Sequence, residues 1–292
     1  MYPDNAWYSH RKILADYCNM EDKHLLGSIQ HGWVHSLDYE SFLIKRKFNL
    51  FCWSDYLSNF CMNKGYKKII PIGAPFLYLC KIHKEKIKNN GSGTIVFPSH
   101  SNLEDYQSVN HKGLIDIVES KYEGPYKVHL YYTDFIEKNF YEYQKRGWEI
   151  ISSEKRSSKD FLYRIFLELN NSKNVVSSDI SSVFFYAMYL LKNVSLINKD
   201  RQNKDLTMIY RNQFDIFTEN YIKKNYTLFD GTMSLLEKKR LANLELGENF
   251  ILPPKKLKKL LGFDSPLKNL LSKTLSKIIE LKQGKSLKHG DL

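Results

Sequence analysis

NVVSSDISSVFFYAMYLLKNVSLI, residues 174–197, reads as one compact supersecondary unit. Val175 and Val176 form a short apolar strand that runs into the polar turn Ser177-Ser178-Asp179. A helix follows, with Ser181 and Ser182 in its first turn and Val183, Phe184, Ala187, Met188 and Leu191 at helical spacing. Lys192-Asn193 ends it, and residues 194–197 return as a strand. Strand, helix and strand in this order predict a βαβ unit with a hydroxyl-rich turn at the carboxyl end of its first strand. Backbone N–H groups at a helix start carry partial positive charge, so such a turn suits a phosphate. The same residues also read as a plain Asp or Ser N-cap without any ligand.

Upstream, the pattern repeats. Strands are expected at 94–97, 127–132 and 148–152, and helices at 103–121, 136–146 and 159–169. Strict alternation of this kind predicts a parallel sheet with helices on both faces. A shorter series precedes it. Strands at 25–30, 48–53 and 68–72 enclose a helix at 55–64, capped by Ser54-Asp55 and closed by Gly65; the turn Gly73-Ala74-Pro75 follows. The Lys- and Asn-rich stretch 81–92 reads as a linker. The division expected is therefore a short N-terminal Rossmann-like domain at 1–80, a linker at 81–92 and a second Rossmann-like domain at 93–200. A helical segment at 201–254 and a basic tail at 255–292 complete it. In the tail, Leu267, Leu270, Leu271, Leu275, Ile278 and Ile279 make a helical stripe. Lys255, Lys256, Lys258 and Lys259 form a basic cluster just upstream. A basic amphipathic helix can lie on an anionic bilayer, or it can pack on its own domain with the lysines in solvent.

Composition narrows the class. The chain has 292 residues, with 20 Tyr and 17 Phe, and can bury one large core or two modest ones. Apolar runs such as 183–191 fall short of the roughly 20 residues that cross a bilayer. The N-terminal sequence has no charged-then-apolar signal layout, so a cytoplasmic protein is expected. Cys18, Cys52, Cys61 and Cys80 have no paired ligand spacing and read as reduced packing residues. Neither a metal nor a cofactor is expected. The formal net charge of +12 implies an anionic partner. Nucleic acid is not the expected one, because the aromatics fall at core spacing and the densest basic run has leucines beside it.

In parallel sheets, ligands bind outside the carboxyl ends of the strands. Three polar turns hold that position: Gln30-His31-Gly32, Ser99-His100-Ser101, and Ser177-Ser178-Asp179 with Ser181 and Ser182. If the two domains face each other, all three line the cleft between them, which favours the ligand reading of the third. His31 would stand at the cleft, where an imidazole can take a proton from an attacking hydroxyl. His100 would suit a diphosphate. Asp179 would shape its turn or orient a ligand hydroxyl.

QHGW (30–33), CWSDY (52–56), IPIGAP (70–75), VFPSHS (96–101) and the SSDISS turn, in this order, resemble the GT-B glycosyltransferases of bacterial surface-polysaccharide synthesis. The likeness is to the group that includes the CDP-glycerol glycerophosphotransferases, and it runs over about residues 25–200. It implies a GT-B-like α/β fold and a metal-independent transferase moving a sugar from a nucleotide-activated donor to a lipid-linked or oligosaccharide acceptor. By that resemblance His31 is the general base, while His100, Ser181 and Ser182 hold the donor phosphates. Gln30, Gly32, Gly73 and Pro75 line the cleft near the interdomain crossing. The SSDISS turn lacks the aromatic residue that the glycerophosphotransferases carry there. The alternatives are a CDP-polyol phosphotransferase, a CMP-sialic-acid-type transferase, a non-catalytic scaffold of a polysaccharide assembly complex and a basic nucleic-acid-binding protein. The transferase would work at the inner face of the plasma membrane, held on anionic lipid through 255–288.

Overall fold

The computed structural model describes residues 3–21, 25, 27–33, 49–63, 65, 67–88, 90–98, 110–131, 134–135, 138–152, 155–178, 180–197 and 233–265. Within them the chain is an α/β protein built on two all-parallel sheets, as the alternation predicts. The first sheet has the order β1-β2-β3, from Ser28–Ile29, Leu50–Cys52 and Ile69–Pro71. It is narrower than the sequence implies: the strand expected at 25–30 pairs over only two residues. Asn5 covers its free edge, donating to the Gly27 carbonyl (2.8 Å) and accepting from the Ile29 N–H (2.9 Å).

The second sheet comprises β4 (Thr94–Phe97), β5 (Tyr126–Leu130), β6 (Glu149–Ser152), β7 (Asn174–Ser177) and β8 (Asn193–Leu196). Their spatial order is β6-β5-β4-β7-β8. The chain thus builds outward from β4 in one direction and then returns to build from β4 in the other. The β4/β7 boundary is the topological switch point, where open parallel sheets leave a crevice beyond their carboxyl ends. Register is continuous there, from Thr94 opposite Asn174 to Phe97 opposite Ser177.

Both faces of the second sheet are covered by helices, drawn from the nine α-helices of the described residues. These are α1 (His10–Tyr17), α2 (Asp55–Asn63), α3 (Pro75–Ile82), α4 (His111–Lys121), α5 (Phe140–Lys145), α6 (Phe161–Asn171), α7 (Ser182–Tyr189), α8 (Leu235–Leu246) and α9 (Pro254–Leu261). On one face, Leu114, Ile115 and Val118 of α4 and Tyr143 of α5 pack on Val96, Val128 and Val176. On the other, α6 and α7 meet α1 and α3 in a core that runs from Ile29, Phe51 and Trp53 to Ile95 and Val175. One apolar cluster therefore joins the two sheets. At its centre Phe76 of α3 stacks on Tyr186 of α7, with ring centroids 4.1 Å apart and planes inclined by 11°. Stacked aromatic pairs add roughly 0.5–1.5 kcal/mol beyond their buried area.

Helix α3 is absent from the sequence reading, which ends the first series at a turn. Its residues, PFLYLCKI, are apolar on nearly every side and buried from Pro75 to Cys80, so no polar stripe marks the helical period. Pro75 starts it at the first helical position, where its missing N–H removes no bond. The segment read as a linker is pinned to α6. Asn170 donates to the Lys86 carbonyl (2.7 Å) and accepts from the Lys88 N–H (2.8 Å). The buried ammonium of Lys192 donates to the Lys88 and Asn170 carbonyls at 3.1 and 2.8 Å.

The C-terminal helices return to the first sheet. Gly247 caps α8 in the left-handed conformation (φ 71°), where a Cβ would lie 1.8 Å from the Trp53 carbonyl oxygen. The Leu246 carbonyl accepts from the Ala74 N–H (2.8 Å). Of the basic stretch, residues 254–261 form α9, whose Leu257 and Leu261 are buried in the common core while Lys255, Lys256 and Lys259 are exposed. The packed alternative applies to that part. The leucine stripe at 267–279 and residues 201–232 of the expected helical segment lie outside the described residues. Among the described residues no helix is long and apolar enough to cross a membrane.

Candidate functional site

The loop after β1 carries the QHGW run. Gln30 is buried and fully engaged inward: its side-chain oxygen accepts from the Trp53 N–H (2.8 Å), and its side-chain nitrogen donates to the Gly32 carbonyl (2.8 Å). Its own carbonyl accepts from the Trp53 indole (3.0 Å). Gln30 therefore braces the loop from behind. His31, half-buried, packs against Trp7 with ring centroids 5.0 Å apart. Beneath the loop lies His10, only 1% exposed. Burial, with a smaller contribution from His31, pushes its pKa down to about 3, against a partial opposing effect from its bond to the Gln30 backbone. His10 is thus a neutral imidazole throughout the physiological range.

Trp33 links this loop to both halves of the C-terminal region. Its backbone N–H donates to Ser182 Oγ at 2.8 Å, its indole N–H donates to Glu245 Oε2 at 2.6 Å, and its ring lies on Phe185 with centroids 4.8 Å apart. Gly32 fits the same contact, since a Cβ there would sit 3.3 Å from Ser182 Oγ. Two of the expected pieces, the His31 loop and the start of α7, are therefore in direct contact. The serine that makes the contact has its hydroxyl engaged by the loop and by the Tyr186 hydroxyl. Glu245, on α8, is 6% exposed. Burial raises its carboxyl to about 7, the Trp33 bond works against this, and the nearby charge of Asp55 adds to it.

The remaining serines stand at the switch point. Ser177 lies in the β7 ladder, and its carbonyl accepts from the Ile197 N–H (2.8 Å). The Ser178 N–H donates across to the Phe97 carbonyl (3.1 Å), fixing the turn between β4 and β7. Its hydroxyl is wholly buried and has no hydrogen-bond partner among the described residues. Buried hydroxyls are nearly always paired, which sets this one apart at the switch-point crevice. Ser181 holds the N-cap position of α7 in extended conformation and forms no capping bond. The plain-cap reading of this turn is thus unfilled by Ser181. Ser99, His100, Ser101 and Asp179 lie outside the described residues.

Gly73 meets Trp53 through its backbone, its N–H donating to the Trp53 carbonyl (2.9 Å). Gly73 adopts φ 79°, and a Cβ there would approach the Gly247 carbonyl oxygen to 3.1 Å, so the α8 C-cap covers it. Pro75 is buried at the start of α3. Among the described residues no cluster of three His, Cys, Asp or Glu side chains could hold a metal. His31 and His35 are four apart in sequence, a ligand spacing on a helix, but His31 follows a strand and His35 lies outside the described residues.

Sequence reasoning missed Glu245 and His10 as parts of this site. The capping box at the start of α8, with Ser234 and Glu237 satisfying each other, announces the helix and nothing of the carboxylate near its end. His10 precedes the first strand in a segment without motif. Only the QHGW motif itself pointed at Trp33.

The class defined so far is a parallel α/β protein in which a His-Gly-Trp loop from one sheet docks on the helix at the switch point of the other. No protein-family profile matches the sequence, and no curated protein does. Several solved structures are similar to the chain at low identity. The UDP-GlcNAc 2-epimerase of Methanocaldococcus jannaschii is 14% identical over 67% of this chain and 60% of its own, with a TM-score of 0.39. A glycosyltransferase of Rickettsia africae is 15% identical over 81% and 69%, at 0.35. The wall teichoic acid polymerase TagF, solved with CDPG, is 15% identical over 82% and 58%, at 0.35. The chain spans about 60% of the length of the epimerases it matches. Likenesses this distant bear on neither activity nor substrate.

Proposed function

We propose that this chain is a metal-independent glycosyltransferase of surface-polysaccharide synthesis. In this reading, a nucleotide-activated sugar lies across the β4/β7 crevice with its phosphates at the start of α7. The orphan hydroxyl of Ser178, the uncommitted Ser181 and the first N–H groups of α7 would hold them. His31 takes the proton of the acceptor hydroxyl as the acceptor oxygen bonds to the anomeric carbon. The bond from that carbon to the phosphate breaks, and the charge left on the phosphate is met by fixed donors instead of a metal. Ser182, first read as a phosphate ligand, serves to hold the base loop against the donor turn.

The observation that carries this reading is the 2.8 Å bond from the Trp33 N–H to Ser182 Oγ. It brings an imidazole two residues upstream into the neighbourhood of the α7 N-terminus, where Ser181 makes no capping bond. The acceptor is proposed to be lipid-linked or an oligosaccharide, with the protein held peripherally at the inner membrane face. The exposed lysines of α9 and the region 266–288 would supply the attraction, each lysine near an anionic surface adding about 1 kcal/mol.

The test is a thermal-shift panel of UDP-, GDP-, CDP- and CMP-linked compounds. A ligand at 100 times its Kd stabilises the folded state by about 2.7 kcal/mol. One nucleotide class should raise the melting temperature by several degrees. A CDP-alcohol or a CMP-sugar as the hit would move the assignment to a polyol-phosphate or sialic-acid-type transferase. No shift with any of them would leave the scaffold reading in its place.

A further inference from the structure

The N-terminal segment crosses from the first sheet to the second through a kink. Tyr8 and Ser9 are consecutive non-glycine residues in the left-handed region, at φ 55° and 62°. Such residues are strained and persist where their surroundings fix them, characteristically beside ligand sites. Here the Tyr8 N–H donates to the Arg156 carbonyl (2.6 Å) and the Ser9 hydroxyl to the Ser158 carbonyl (3.0 Å). The Tyr8 ring meets Phe161 edge-on, with centroids 5.0 Å apart.

The kink sets the indole of Trp7 between two functional groups. The guanidinium carbon of Arg156 lies 3.6 Å from the ring centroid, and the His31 ring lies 5.0 Å from it. No more than the sum of these two distances separates guanidinium from imidazole, a span that one phosphorylated substrate bridges. Arg156 belongs to the loop after β6, which crosses the carboxyl end of the sheet on its way to α6. The same loop carries Lys155 and Lys159, both exposed. Among the described residues no carboxylate pairs with Arg156, which meets its backbone bond partner, the Trp7 face and, through its charge, the Tyr8 hydroxyl.

Docking the N-terminal segment does not need the guanidinium, since the bonds to the Arg156 and Ser158 carbonyls do that work. A guanidinium stacked on an aromatic face keeps its in-plane N–H fork free, the geometry that matches two oxygens of a phosphate. We infer that Arg156, held on Trp7, is a phosphate-binding residue next to His31, forming an anion subsite separate from the α7 turn. The inference rests on the transferase reading only for the origin of the phosphate, which is either the donor diphosphate or a phosphate on the acceptor.

Calorimetry with the full chain tests it, using CDP, UDP, cytidine, uridine, inorganic pyrophosphate and inorganic phosphate as probes. Arg156→Gln removes the charge; Arg156→Lys keeps the charge and loses the fork. If the phosphate is the donor's, Arg156→Gln weakens the bound nucleoside diphosphate by about tenfold or more and leaves the parent nucleoside unchanged, with Arg156→Lys in between. If it is the acceptor's, nucleotide affinity is unchanged, and inorganic phosphate binds the nucleotide-saturated wild type but not Arg156→Gln. Should Arg156→Gln fail to fold, Arg156→Lys decides by the same comparison. Equal affinities for diphosphate, pyrophosphate and phosphate in wild type and variant overturn the inference. Pyrophosphate binding that depends on Arg156 in a protein binding no nucleotide would sink the transferase reading and leave this subsite standing.

Discussion

The indole nitrogen of Trp33 lies 2.6 Å from a carboxylate oxygen of Glu245, a residue 212 positions away. This bond closes a path from the first sheet, through the His-Gly-Trp loop, to the C-terminal helix that returns across both sheets. The carboxyl at its end is buried, and its pKa is raised to about 7, first by burial and then by Asp55.

Glu245 sets a pH dependence. A carboxyl whose folded pKa is above its unfolded value, about 4.3, favours the folded state fully below pH 4. That contribution is lost as pH rises through 7, and by pH 8 the ionised, buried form costs up to roughly 3 kcal/mol relative to the acid. Glu245→Gln keeps an acceptor for the indole and cannot ionise. Denaturant titrations at pH 5 and pH 8 should show the wild type losing more stability than the variant over that interval. Parallel losses would show that Glu245 ionises in the fold as it does in water.

Ser182→Ala leaves the Trp33 N–H without its partner. A part-buried donor so exposed to loss costs about 1–3 kcal/mol. The larger consequence is for turnover, because the His31 loop loses its dock. The expected pattern is a fall in kcat with nucleotide affinity held within about threefold, less than 0.7 kcal/mol.

Ser178→Ala and Ser181→Ala are predicted to do the reverse. Ser178 has no partner within the described residues and Ser181 makes no capping bond, so removing either hydroxyl costs the apo fold little. The pair together should weaken nucleotide binding by about tenfold, on the scale of hydrogen bonds to a charged group. Unchanged calorimetric affinity would remove the phosphate from this turn.

Gly247→Ala probes the junction of α8 with the first sheet. The added Cβ meets the Trp53 backbone carbonyl at 1.8 Å in a residue that also needs positive φ. Backbone cannot swing aside as a side chain can, so a loss of about 3 kcal/mol or more is expected in the unfolding free energy.

The second sheet was legible because its signals are local. Val175 and Val176, the break at Lys192-Asn193 and the glycine after α5 each mark a boundary within a few residues of the observed one. The first sheet was harder. Its strands span two or three residues, too few for a period, and α3 has no polar face to reveal it. At the site, the motifs put His31 and Ser182 in one cleft but could not say what each side chain faces. Gln30 reads as a cleft residue and points inward to Trp53. Glu245 and Arg156 carry no motif, and only the folded chain brings them to Trp33 and Trp7.

The central claim is that His31 is the base of a transfer reaction whose donor binds at the β4/β7 crevice. His31→Ala, assayed once the nucleotide panel has named a donor, tests it most directly. The expected result is a loss of turnover of about 100-fold or more, as for a general base, with the donor's calorimetric Kd unchanged. Retained turnover, or a donor affinity that falls in step with the rate, would contradict the assignment.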